Sequence, residues 1–208
     1  GKLLGFVLRE QRRIRGLHTH NGGGKQIVSA TVDQWQAVCS LTSQNAGVNT
    51  LTANYGGDAN YTTGSTTIPH TVNPAATTTT LSSNANPAVC GQPIMFTAQV
   101  TMQAPGSGTA QGHVTFMQST TPICENVALV GGQATCTIDT LPANPSGHEI
   151  VANYLGGVNG NPSTSDPLMQ VVEKAATLTA LNATPYPVLY GQPVVLTATI
   201  TVQPPGGG

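Results

Sequence analysis

Four cysteines, Cys39, Cys90, Cys124 and Cys136, are the residues of this 208-residue chain best suited to covalent chemistry. Four cysteines allow three complete pairings. Cys124 and Cys136 flank a predicted hairpin whose turn is Gly131-Gly132, a spacing at which they could face one another across adjacent strands. A bond there closes a loop of about 13 residues and stabilises by roughly 3 kcal/mol in the chain-entropy model. Two buried thiols are the alternative that the spacing leaves open. Cys39 and Cys90 are expected to be unpaired. No Cys-x-x-Cys motif occurs, which argues against structural zinc and thioredoxin-like exchange.

The other candidates point to chain geometry rather than to catalysis. The loop Gly56-Gly57-Asp58-Ala59-Asn60 offers oxygens to a calcium ion, but calcium takes six to eight and the loop has a single acid. Asx side chains cap turns through their own backbone, so a turn is expected there. His18 and His20 form a His-x-His pair able to grip a metal. No carboxylate or thiol lies close to them in sequence, and a chance pair is the preferred reading. His70, His113 and His148 are scattered, and each is expected at a strand end or on the surface. Gly24-Lys25 fails the phosphate-loop pattern twice, with Thr19 in the place of its first glycine and Gln26 after the lysine. No Gly-x-Ser-x-Gly elbow is present, and the acids are too sparse to single out a glycosidase pair. The sequence thus offers no catalytic, metal or cofactor-binding residue, and its one site candidate is the Cys124 and Cys136 pair.

The elements that would position these residues repeat with a period of 100. Shifted by that distance, 16 of the 34 residues in 75–108 are identical, among them Gly91-Gln92-Pro93 against Gly191-Gln192-Pro193. A repeat of that length is a domain-sized unit. Gln36-Ala37-Val38-Cys39 matches Gln133-Ala134-Thr135-Cys136, and Ala53-Asn54-Tyr55 matches Ala152-Asn153-Tyr154. Cys39 therefore occupies the place of Cys136, while the place of Cys124 falls near Ile27. Cys90 corresponds to Tyr190. On this basis 26–73 is the back half of one unit, 74–173 a whole unit and 174–208 the front of a third. Residues 1–25 stand outside the pattern as a basic leader, expected to be a flanking segment with at most a short helix.

Alternation within the whole unit has the period of strands. Ile94, Phe96, Ala98 and Val100 share a face, as do Val114 with Phe116, Ala134 with Cys136 and Ile138, and Ile150 with Ala152 and Tyr154. Gly and Pro punctuate the gaps at 106–108, 131–132, 142–147 and 156–162. About seven short strands per 100 residues, each half polar, suit two sheets packed face to face. The fold class read from this is all-β, tandem sandwich units.

Only 7% of residues are charged, against roughly 25% in ordinary soluble domains. Six of the seven bases lie in residues 1–25, and 26–208 carries one base against seven acids, a net −6. Such a surface has no footprint for phosphates, which argues against nucleic acid as a partner. No stretch approaches the 20 or so apolar residues of a membrane span.

The chain resembles bacterial Ig-like repeat domains. The resemblance rests on Ala75-Ala76-Thr77-Thr78-Thr79-Thr80-Leu81, Asn86-Pro87 followed by Gly91-Gln92-Pro93, the Thr97-Ala98 strand, Val114-Thr115-Phe116, and Ala53-Asn54-Tyr55 leading into Gly57-Asp58-Ala59-Asn60-Tyr61. It covers roughly 26–208, and the loop 155–161 departs from it. It implies Ig-like β-sandwich modules in a secreted or cell-surface protein, a stalk or adhesin with no enzymatic activity of its own. The extracellular setting so implied favours the Cys124–Cys136 disulfide over two thiols. Implied partners are the neighbouring modules, and a surface glycan or protein ligand in the rival reading as a recognition module. A third reading is an accessory domain of a secreted hydrolase. The junction between Val72 and Thr77, stiffened by Pro74, is expected to hold consecutive modules in an extended array.

Overall fold

A computed structural model describes residues 12–20 and 27–32 as backbone, and 36–42 and 45–207 in full. Every regular element among them is a strand. The chain divides into two units, Gly1–Pro74 and Ala75–Gly208.

In the first unit, β1 (Arg12–His20), β2 (Ile27–Val32), β3 (Gly47–Tyr55) and β4 (Gly64–Val72) form one antiparallel sheet in the order β2-β1-β3-β4. Pro69 stands on β4, at the sheet's edge, the place in a sheet where proline is tolerated. Strand β1 replaces the short helix that the sequence allowed: the edge of β3 has N–H and C=O groups that need partners. Leu17 to His20 meet it, with Leu17 opposite Ala53 and Thr19 opposite Leu51. Residues 1–11 and 21–26, with the Gly22–Gly24 run and Lys25, lie outside the described residues.

The second unit opens with β5 (Thr77–Ser83), β6 (Ala88–Val89), β7 (Ile94–Met102), β8 (His113–Gln118), β9 (Thr121–Ala128) and β10 (Gln133–Ile138). It continues with β11 (Asn144–Tyr154), β12 (Ser163–Thr164), β13 (Leu168–Glu173), β14 (Thr177–Thr184) and β15 (Val195–Val202). Residues 75–173 make a two-layer sandwich. One layer is β10-β7-β5; the other is β6-β13-β11-β8-β9, with β12 beside β11. Seven of these strands have six residues or more, and the chain changes layer between β7 and β8 and again between β9 and β10. This is the arrangement of an Ig-like sandwich.

The alternation sets the inner face. Ile94, Phe96, Ala98 and Val100 are buried while Met95 and Thr101 are exposed, and Val114, Phe116, Ile150, Ala152 and Tyr154 face them from the other layer. Burying each large side chain contributes about 1.5–3 kcal/mol. The segment 142–147, expected as a gap, is partly strand. Strand β11 begins at Asn144, and its pairing with β13 slips between Asn144 and His148. Asn144 absorbs the slip by donating from Nδ2 to Gly147 O at 2.8 Å.

The hairpin β14–β15 repeats β5–β7 in register. Leu181 lies opposite Ala198 as Leu81 does opposite Ala98, and Thr177 opposite Val202 as Thr77 does opposite Met102. The first unit repeats the other layer. Leu51 lies opposite Ile68 as Ile150 does opposite Leu168. No helix of the described residues is long and apolar enough to cross a membrane.

Candidate functional site

Cys124 sits on β9 opposite Phe116, and Cys136 on β10 opposite Phe96. Their Sγ atoms are bonded, with the Cα atoms 6.1 Å apart. The two strands are not a hairpin pair, as their spacing had suggested. The turn from Val130 to Gln133 carries the chain from one layer to the other, so the disulfide ties layer to layer. Gly131 and Gly132 make that turn at φ 61° and 83°, conformations that cost glycine nothing. Cys136 is buried in the core and Cys124 half-buried. Cys39 and Cys90 are free thiols.

The opposite edge of the sandwich is closed by hydroxyls. Ser163 Oγ on β12 lies 2.7 Å from Thr77 Oγ1 and 2.8 Å from Thr79 Oγ1 on β5, and Thr77 donates to Asn161 O at 2.7 Å. The same loop grips the chain where it enters: Asn161 N donates to Ala75 O at 2.9 Å, and Ala75 N to Asn159 O at 2.8 Å.

The two tyrosine loops solve one problem differently. Tyr55 Oη donates to Asp58 Oδ2 at 2.7 Å, and Asp58 Oδ1 accepts from the backbone of Asn60 and Tyr61 at 2.8 and 2.9 Å. Asp58 therefore works as a turn cap. In the later copy Gly157 stands three residues after Tyr154. A side chain there would run into Gln111 O and Tyr154 Oη. Tyr154 instead donates to Gln111 O at 2.5 Å. Burial raises its phenol above the ordinary value of 10.0.

His148 is neither at a strand end nor on the surface. It lies within β11 and is 8% exposed, with Nε2 2.8 Å from Pro142 O and Nδ1 2.9 Å from Gln118 Nε2. A carbonyl only accepts, so the ring proton sits on Nε2. Both nitrogens are committed to packing. His70 and His113 are exposed on β4 and β8. The backbone of His18 and His20 is opposite Thr52 and Thr50, and their side chains lie outside the described residues. Among the described residues no three His, Cys, Asp or Glu converge to hold a metal ion.

Sequence reasoning missed Gln170 and Asn86. Gln170 is wholly buried, and its Nε2 donates to Ala85 O at 2.8 Å and Val171 O at 2.9 Å, while its Oε1 has no partner. Asn86 donates to Met169 O at 2.8 Å and accepts from Val171 N at 2.9 Å. Together they bind the 84–87 loop to β13. A lone amide in an apolar strand was the only available signal.

The junction after β13 is also built from backbone. Only residues 174–176 separate β13 from β14. Cys90 N donates to Glu173 O at 2.8 Å, and Gly207 N donates to Cys90 O at 3.2 Å. Gly91 lies at φ 80°, and a side chain on it would strike the backbone of Gly207.

These features define a class, an Ig-like β-sandwich clasped at one edge by a disulfide and at the other by hydroxyls. Residues 79–173 match the family model of the bacterial Ig-like domain (group 3), a little under half of the chain. No curated protein matches the chain.

Proposed function

We propose that the chain is a non-enzymatic spacer from a repetitive extracellular or cell-surface protein. In it 74–173 is one whole module, flanked by the back half of a module up to residue 73 and the front of another from 174. The carrying observation is the junction after β13, where three residues link the sandwich to the next hairpin and backbone bonds from Cys90 brace it on both sides. A short linker held at both ends fixes reach and direction, which is what a stalk needs. The inter-sheet disulfide supports an oxidising compartment. The sparse charge and the hydrogen-bonded state of Asp58 and His148 give this reading more support than an enzymatic one.

Small-angle X-ray scattering, extrapolated to zero concentration, tests it. A compact globule of this length has a radius of gyration of about 17 Å. An extended array should exceed that clearly. A compact or freely jointed particle would rule the spacer out.

A second reading, recognition of a glycan or protein, is favoured by one observation. Tyr186 and Tyr190 stand almost fully exposed, four residues apart, on the loop before β15. Titration of the chain with soluble glycans, followed by tyrosine fluorescence, tests it. An unmoved signal removes it.

A further inference from the structure

The hydrogen-bond phase of β10 decides which of its backbone groups point off the sheet. Val100 N donates to Gly132 O at 2.9 Å, which makes Gln99 and Gln133 a pair that exchange no bond between themselves. Alternation then puts Ala134, Cys136 and Ile138 in bonded pairs with Ala98, Phe96 and Ile94. The N–H and C=O of Gln133, Thr135 and Thr137 are turned away from β7. Gln133 agrees with this phase, because its N–H and C=O both bond Val130, at 3.1 and 2.8 Å. Thr135 and Thr137 pair with β7 alone, so among the described residues their outward groups meet no backbone partner.

The other long edges of this sandwich are blunted. Strand β9 carries Pro122, Glu125 and Asn126 at φ 52°, and its register against β8 slips twice. Strand β5 has Ser163 of β12 set across Thr77 and Thr79. Strand β10 has no such device. Gln133–Ile138 holds no proline and no charge, and six consecutive residues pair with β7 without a bulge. The Cys124–Cys136 bond anchors the strand through a side chain and leaves its outward N–H and C=O groups unused.

We propose that the β10 strands of two copies of this chain pair antiparallel about a two-fold axis at Cys136, joining their layers into one six-stranded sheet. In that register Thr135 lies opposite Thr137 of the second copy, and Thr137 opposite its Thr135, so four backbone hydrogen bonds form. Both threonines are exposed and meet as hydroxyl pairs across the new ladder. Gln133 lies opposite Asp139 of the second copy, an exposed amide donor against an exposed carboxylate, at each end of the contact. The two Asp139 carboxylates stand about 20 Å apart and do not oppose the pairing. A neutral edge has nothing to hold a charged peptide, whereas a two-fold copy of itself satisfies every outward group of 135 and 137. The same surface is used by both copies, so association closes at two chains.

Sedimentation over a range of concentrations tests the pairing. The weight-average mass should rise from the single-chain 21.3 kDa toward twice that value and fall again on dilution. Thr135→Lys with Thr137→Lys sets like charges opposite one another and should return the mass to one chain, with the melting temperature of the central sandwich unmoved. Thr135→Glu with Thr137→Glu should do the same, and an equimolar mixture of the two variants should recover the two-chain mass. Thr78→Lys with Thr80→Lys, exposed on β5 of the same layer and away from the β10 edge, should leave association as it was. A mass that stays at one chain up to the solubility limit overturns the pairing, even where an extended foreign peptide then binds the edge. Association that the lysine variant at 135 and 137 retains overturns it, and so does a mixture of the two charged variants that stays at one chain.

Discussion

Cutting the inter-sheet bond should cost the central sandwich a definite amount. The bond joins residues 12 apart in sequence and closes a 13-residue loop. Releasing that loop in the unfolded chain is worth about 3 kcal/mol. A sandwich of this size shifts by about 4–8 °C per kcal/mol, so Cys124→Ala with Cys136→Ala should lower its melting temperature by about 12 °C or more. Cys136 is 2% exposed, so alanine at that position removes a buried sulfur and adds a packing loss of about 1 kcal/mol. Calorimetry separates the two. The parent chain measured with and without reductant isolates the bond, and the alanine variant against the reduced parent isolates the packing. A reductant shift under about 4 °C would mean less than about 1 kcal/mol for the bond. The view that it holds the layers together against a flexible 124–136 segment would then be wrong.

Other perturbations follow from single contacts. Gly157→Asp restores the residue type of the earlier loop but drives a side chain into Gln111 O and Tyr154 Oη, and should cost about 1–3 kcal/mol by denaturant unfolding. Gln170→Glu buries a charge against two carbonyl oxygens and should cost about 3–5 kcal/mol at neutral pH. Gln170→Met should cost less, because it also removes the orphaned acceptor. The phenol of Tyr154 is raised in the folded state, so the folded chain holds that proton more tightly. Its contribution is fully present below pH 10 and is lost as pH rises beyond it. Tyr154→Phe should flatten that alkaline loss in a pH series of melting temperatures. With 7% charged residues, stability should change little between low and high salt, as thermal melts would show.

Much of the core was legible because burial on one side of a strand imposes a period of two. Phe96 and its neighbours on β7, and Ile150, Ala152 and Tyr154 on β11, lie on the inner face for that reason. The change of layer at 130–133 was not legible. Two alternating strands around Gly131-Gly132 read the same whether they pair with each other or with strands far away in sequence. The position of β1 was hidden because its place is set by the open edge of β3, a long-range requirement that leaves no local mark on Arg12–His20. His148 was misplaced because an imidazole's burial depends on partners at Gln118 and Pro142, and neither is near it in sequence. The register match between β14–β15 and β5–β7 was implicit in the period of 100 and needed only strand pairing to become geometry.

The two clasps of the sandwich differ in what the repeat keeps. Thr77 and Thr79 recur as Thr177 and Thr179, so half of the hydroxyl clasp is written into the period. Its partner Ser163 lies opposite Tyr154, where the first unit has Gly64 opposite Tyr55, so even this clasp is trimmed there. The disulfide is not repeated at all. Cys124 is opposite Phe116, and the matching position opposite Leu17 is Val28, which leaves Cys39 a free thiol. Hydroxyl bonds of this kind are worth about 0.5–1.5 kcal/mol each, against about 3 kcal/mol for the bridge. Within 75–173 the covalent bond therefore outweighs any single hydroxyl contact. A reductant should soften 75–173 and leave the strands on either side unmoved, and hydrogen exchange that slows or quickens equally in all three regions would contradict this.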